Sequence, residues 1–229
     1  MPQTKTSQRR PRDAARAQVA ILDAAEAEFA KHGFAGARVD AIAKTAGYNK
    51  SLIFQYFGDK LGLYTEVLKG VDAQATRVGL QILGSLSPDT PITRESFRAL
   101  VREMVKAMFD YVVEHPRPLR IITWEEAGGW TALAKLHSQL DHSDVHLFMA
   151  ILDRARQAGV LRPEISPHLF LIILTNVCRT YITSLPVFQM VLCHEESAAE
   201  LATPDALAQA RDEIAAFVVH GLIADPSSV

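Results

Sequence analysis

The chain has 229 residues, 48% apolar and 22% charged, with a net charge of −2, a balance that supports a buried core and excludes a disordered composition. Two cysteines, Cys178 and Cys193, are too few for a disulfide framework and lack metal-finger spacing, as expected of a reducing cytoplasm. The longest apolar run, 169–174, stops at Thr175 and Asn176, short of the about 20 residues of a membrane span, and no apolar run follows the basic N-terminus as in a secretory signal.

The charge is unevenly placed. Residues 1–70 carry 11 Lys and Arg against 7 Asp and Glu, and the remainder 13 against 19. Before residue 17, Lys5, Arg9, Arg10, Arg12 and Arg16 face only Asp13, so residues 1–13 are expected to form a flexible basic arm suited to a DNA groove. The acidic remainder excludes an architectural protein that coats DNA without regulation.

Asp13 reads as the N-cap of a first helix with Val19, Leu22, Ala25 and Phe29 at helical spacing, ending before Gly33. A short helix is predicted over Val39–Ala46, closed by Gly47, and a third starts after Asn49, a preferred N-cap, and reaches about Tyr56. Two short helices joined by a three-residue turn with Gly at its corner are the layout of a helix-turn-helix. Lys50, Ser51 and Gln55 face outward if Leu52, Ile53 and Phe57 face inward. Asp59 caps a long helix from Lys60, with Leu61, Tyr64, Leu68 and Val71 on its buried side.

Pro88 and Pro91 bound a joint before a helix through Phe97, Leu100, Val101, Met104, Met108 and Tyr111, which ends at His115 and Pro116. Further helices are predicted over 118–126, 141–158, 167–185 and 204–223. No alternation at period two occurs, so the whole chain is read as all-α. The last two helices carry more apolar surface than one core requires, notably 169–187 and the seam Leu207, Ala210, Ile214, Phe217 and Gly221, and are expected to pair with their copies in a four-helix homodimer interface.

Residues 33–63, GFAGARVDAIAKTAGYNKSLIFQYFGDKLGL, resemble the DNA-binding signature of the TetR (tetracycline repressor) family. The resemblance rests on Ile42 with Ala43, Ala46 with Gly47, the doublet Tyr56 and Phe57, and Lys60, and extends over about residues 14–68. It implies a homodimer bound to a palindromic double-stranded operator, with a small-molecule inducer held in the C-terminal domain. The expected division is a helix-turn-helix domain over 14–59 and a larger helical ligand-binding and dimerisation domain over 60–229. The chain departs from the pattern at Arg38, where a Thr or Ser cap is usual, at Leu52 in place of a small polar residue, and at Phe54 in place of a Tyr, a change that keeps the ring for packing.

A recognition helix presents polar tips to the major groove. Gln55 suits a bidentate contact to adenine and Lys50 a guanine or phosphate, with Ser51 beside them. Arg38 suits a phosphate, and the family resemblance implies backbone-positioning roles for Lys44, Thr45, Tyr48, Asn49, Tyr56 and Lys60. The central helices offer an apolar pocket lining in Met104, Met108, Trp124, Phe148, Ile151, Asn176 and Tyr181, suited to a largely apolar inducer. Two competing readings concern other chemistry. His137, Asp141, His142, Asp144 and His146 suggest a metal-responsive regulator or metal-dependent enzyme, although only His142 and His146 share a helix face. The two cysteines suggest a redox-responsive regulator. No nucleophile elbow, phosphate loop or dinucleotide fingerprint occurs, so no enzyme, cofactor or metal is expected.

Overall fold

The computed structural model describes residues 9–86, 90–192 and 203–223. These form ten α-helices: α1 (Arg9–Gly36), α2 (Val39–Ala46), α3 (Lys50–Phe57), α4 (Lys60–Leu83), α5 (Arg94–Glu114), α6 (Pro116–Ala127), α7 (Thr131–Leu136), α8 (Ser143–Gln157), α9 (Pro167–Leu192) and α10 (Pro204–Leu222). A single 3-10 turn follows α7, and the described residues hold no strand beyond an isolated bridge between Leu161 and Ile223. Two compact units arise, one from residues 1–74 and 116–140 and the other from 75–115 and 141–229.

The first unit is built around α1. The described part of this helix runs from Arg9, ahead of the expected cap Asp13. Residues 9–13 are therefore helical, whereas residues 1–8 of the expected basic arm lie outside the described residues. Its buried face is Ala17, Ile21, Ala24, Ala25 and Phe29. Val19, expected inside, is 68% exposed: two residues from Ile21 it points to the opposite side of the cylinder. Gly33 breaks the helix with φ 65°, and a Cβ there would lie 2.9 Å from the Trp124 ring.

Phe29, Phe34 and Tyr64 cluster with ring centroids 4.7 to 6.3 Å apart, and α2, α3, α4 and α6 add Ile42, Ile53, Leu63, Leu68 and Ile121 to this core. Leu61, expected to be buried, stays exposed in the first turn of α4, and Leu63 fills the core instead. Beside the rings lies Glu125, only 6% exposed. Its carboxylate accepts the Tyr64 hydroxyl at 2.7 Å and the N–H groups of Ala132 and Leu133 at 3.2 and 3.0 Å. The start of α7 is thus capped by a side chain from α6. Burial pushes the Tyr64 phenol up, and Glu125 adds to the shift through the hydrogen bond and its charge. Because α6 and α7 complete this core, the compact unit extends beyond the 14–59 segment that carries the helix-turn-helix signature.

In the second unit α5 is central. Thr93 and Ser96 form a reciprocal capping box at its start, and Phe97, Leu100, Val101, Val105 and Phe109 form its buried side. Phe148, Leu152, Phe170, Leu174, Val218 and Leu222 from α8, α9 and α10 close the core. Arg211 of α10 donates to both carboxylate oxygens of Asp110 at 3.1 Å, and Lys106 reaches Asp212 at 2.9 Å, which sets the register of α10 on α5. As a continuous helix, α9 is long and apolar enough, by length and composition, to cross a bilayer, a property hidden by the short run 169–174. Phe170, Leu174 and Cys178 nonetheless recur every fourth residue in the core, so one face of α9 is committed to this unit.

Candidate functional site

Local chemistry builds the helix-turn-helix. Arg38 occupies the cap position of α2 without a side-chain cap, as its type requires, and its backbone N–H donates to Glu28 at 3.1 Å. Gly47 closes α2 with φ 76° and ψ 22°, returning its N–H to the Ala43 carbonyl, a left-handed conformation that glycine adopts freely. Two residues later the Asn49 side chain accepts the Leu52 N–H at 2.8 Å and starts α3. Ile53 is fully buried, while Leu52 and Phe57 are half-buried. Lys44, Thr45, Asn49, Lys50, Ser51 and Gln55 are exposed, and Tyr48 and Tyr56 are half-buried with their rings against the core. The polar side chains at the turn and on the outer face of α3 thus form one solvent-facing surface.

Several expected contacts already have partners. The Lys50 ammonium pairs with Asp40 at 3.0 Å and lies 5.8 Å from the Phe54 ring centroid. Both Lys50 and Asp40 are exposed, and such a pair contributes at most about 1 kcal/mol, so a phosphate or base competes easily. Lys60 is held more firmly, with its ammonium on the Ala35 carbonyl at 3.2 Å and over the Phe34 ring at 5.0 Å. That bond is solvent-exposed, so the Lys60 ammonium stays at the surface of the unit. The expectation for Phe54 is corrected. At 37% exposure its ring stands on the outer side of α3 instead of packing inward, so sequence reasoning missed an apolar member of the surface. The reversal follows from α3 having Ile53 as its anchor, and the side chain one residue on points elsewhere.

The expected pocket lining divides. Met104, Met108 and Phe148 line a cavity of about 200 Å³ in the second unit, together with Val78, Ile82, Tyr111, Asp144, Leu171 and Leu174. Ile151 is core, Tyr181 packs on Phe109 at 5.9 Å, and Asn176 donates to the Ile172 carbonyl at 2.9 Å; none of them reaches this cavity. Trp124 belongs to the first unit, where its indole N–H donates to the Ala30 carbonyl at 3.3 Å and its ring lines a separate cavity with Phe34 and Leu61. The residues of α4 and α9 that complete the second-unit lining carry no local signal, because their inward direction depends on helix packing.

Among the described residues no three His, Cys, Asp or Glu side chains gather as a metal site. Asp141 accepts the Ser143 N–H at 2.9 Å, and its bonds to Ser143 hold its carboxyl below the usual range. Cys178 is buried, with its Sγ donating to the Val105 carbonyl at 3.6 Å, and burial pushes its thiol up to about 12, so it carries almost no thiolate near neutral pH. Cys193 lies outside the described residues.

Residues 21–67 match the bacterial regulatory proteins of the tetR family, and residues 98–218 match the tetracyclin repressor-like C-terminal domain. The chain is 36% identical over 114 residues to the HTH-type transcriptional repressor SCO4008 of Streptomyces coelicolor, covering 50% of this chain and 52% of that protein. It thus spans about half the length of that relative. It is 28% identical over 183 residues to the HTH-type transcriptional repressor NicS of Pseudomonas putida, covering 78% and 82% of the two chains. In fold it resembles the crystal structure of a TetR family transcription regulator from Marinobacter aquaeolei, with a TM-score of 0.68 at 19% identity over 94% of this chain and all of that one. All three relatives are regulators of transcription. With a matching DNA-binding segment, a matching C-terminal domain and the helix-turn-helix geometry in place, the chain belongs to the TetR family of transcription regulators.

Proposed function

We propose that this chain is a cytoplasmic, ligand-responsive repressor that binds a palindromic operator as a homodimer. The observation that carries the reading is the outer surface of the helix-turn-helix, where Ser51 and Gln55 are exposed on α3 above a fully buried Ile53. That division is what a helix needs to present side chains to base edges while its scaffold holds it. Gln55 reads adenine, and Lys50, released from Asp40, reaches guanine or phosphate. Arg38, Lys44, Thr45, Tyr48, Asn49, Tyr56 and Lys60 position the backbone. Basic residues before Ala14 follow the adjacent minor groove.

Exposed apolar side chains on α9 and α10 support the dimer. Leu169, Ile172, Val187, Met190 and Val191 stand outward on α9, and Phe217 is 74% exposed on α10. Of the expected α10 seam, Ala210 is buried and Leu207 and Ile214 pack half-buried against the chain's own core, so Phe217 and Gly221 remain for a partner. A patch of this kind is normally covered. The dimer must hold its α3 helices about 34 to 36 Å apart. An inducer in the second-unit cavity favours a state without that spacing, and α4 is the common element because it carries cavity residues Val78 and Ile82 and begins beside the recognition helix.

Selection of bound duplexes from a random library, then anisotropy titration over a range of salt, tests the reading. Gln55→Ala should relax preference at one base position in each half-site by about 1 to 3 kcal/mol. Lys44→Ala should weaken all sequences alike and lower the salt slope by about one. Phe217→Glu should yield monomers by light scattering and weaken operator binding. A monomeric wild-type chain that selects no sequence refutes the proposal.

A further inference from the structure

We infer that the second-unit cavity selects an apolar amine, with Asp144 as the group that recognises its ammonium; this rests on the regulatory reading above. The cavity is walled by Met104, Met108, Tyr111, Phe148, Leu171 and Leu174, and Asp144 is the one formally charged residue in its lining. Asp144 lies in the first turn of α8, a favourable place for an acid, but its surroundings set it apart from a simple helix-start residue. Its side chain is half-buried and lies against Gly79 of α4, so close that a Cβ on Gly79 would come within 3.0 Å of its Oδ2. Among the described residues no hydrogen bond or ion pair to the Asp144 side chain is formed, and it is not one of those with further partners.

A carboxylate held at an apolar wall is best satisfied by a cation that donates hydrogen bonds, because charge-assisted bonds are about twice as strong as neutral ones. The same charge repels a carboxylate ligand, and the lining holds no Lys or Arg to offset it. Size narrows the class further. An apolar cavity of about 150 Å³ accepts benzene, so about 200 Å³ accommodates one ring and a short chain ending in an amine. The thioether side chains of Met104 and Met108 suit an aromatic ring.

The test is calorimetric titration of the full-length dimer with 3-phenylpropylamine, 3-phenylpropanol and 3-phenylpropanoate, alongside release of operator by each. The amine should bind at least about tenfold more tightly than the alcohol, a difference of about 1.4 kcal/mol, with the carboxylate weakest. Asp144→Asn should bring amine and alcohol within about twofold while leaving the alcohol unchanged. Asp144→Ser, which also suits a helix start, should do the same, so an effect confined to one variant through misfolding is recognised. Equal binding of amine and alcohol to the wild type, or an amine preference that survives both variants, overturns the inference. Operator release by the neutral alcohol would leave the regulatory reading standing in that case. If none of the three probes binds, the inference fails outright, and a panel of larger neutral apolar molecules then judges the regulatory reading by operator release.

Discussion

Tyr64 and Glu125 provide the sharpest test of how the DNA-binding unit is held. Glu125→Leu removes the acceptor for three donors: the Tyr64 hydroxyl and the N–H groups of Ala132 and Leu133. Tyr64 is almost fully buried, so its stranded hydroxyl costs about 1 to 3 kcal/mol. The two N–H groups belong to half-buried residues and recover some solvent, so the total is about 3 to 5 kcal/mol. Tyr64→Phe alone removes one bond without stranding a donor and should cost about 1 to 2 kcal/mol. In the double variant nothing is left to strand at that point, so its cost should fall about 1 to 2 kcal/mol below the sum of the single variants. Both tryptophans of the chain, Trp124 and Trp130, lie in this unit, and urea unfolding followed by their fluorescence reports on it directly. Strict additivity would refute the coupling. Alkaline pH offers an independent check. The unfolded phenol releases its proton near 10, whereas the folded one, raised above that value, keeps it. The unfolded state is therefore favoured as pH rises past 10, and stability present below 10 should fall by up to about 1.4 kcal/mol per pH unit. Tyr64→Phe should flatten that fall.

Asn49→Ala removes the cap of α3 and should lower stability by about 1 kcal/mol in the same fluorescence assay; no change would show that the Leu52 N–H finds water as readily. Gly33→Ala combines a left-handed backbone with a Cβ in the Trp124 ring and should cost about 2 kcal/mol or more, shifting the tryptophan emission as well. Cys178 should resist iodoacetamide in the native protein at pH 8 and react in denaturant, read by peptide mass spectrometry, because burial holds its thiol at about 12; native labelling at the rate of an open thiol would contradict its burial.

The helix-turn-helix was legible because its determinants are local. Asn49 bonds to a backbone group three residues away, and Gly47 adopts a backbone conformation set by the missing Cβ. Neither depends on the rest of the chain. The facing of α1 was not legible from Val19, Leu22, Ala25 and Phe29 alone, since a run rich in alanine offers more than one apolar stripe. Burial of Ile21 and Phe29 at 0% exposure decided between them. Phe54 was misread for a related reason: an aromatic side chain suits a core, and only the position of α3 on its scaffold leaves it outside. No expectation was made for α7, a six-residue helix too short to form by propensity.

Helix identity, the turn chemistry and the polarity of the recognition surface are thus written in short stretches of sequence, where bonds join residues three or four positions apart. The Tyr64–Glu125 bond and the anchoring of Lys60 at Ala35 join residues 61 and 25 positions apart, and Met104, Met108, Phe148 and Asp144 come from separate helices to one cavity. Such contacts arise only when helices pack, because packing, unlike local backbone bonding, sets which side of each helix faces inward.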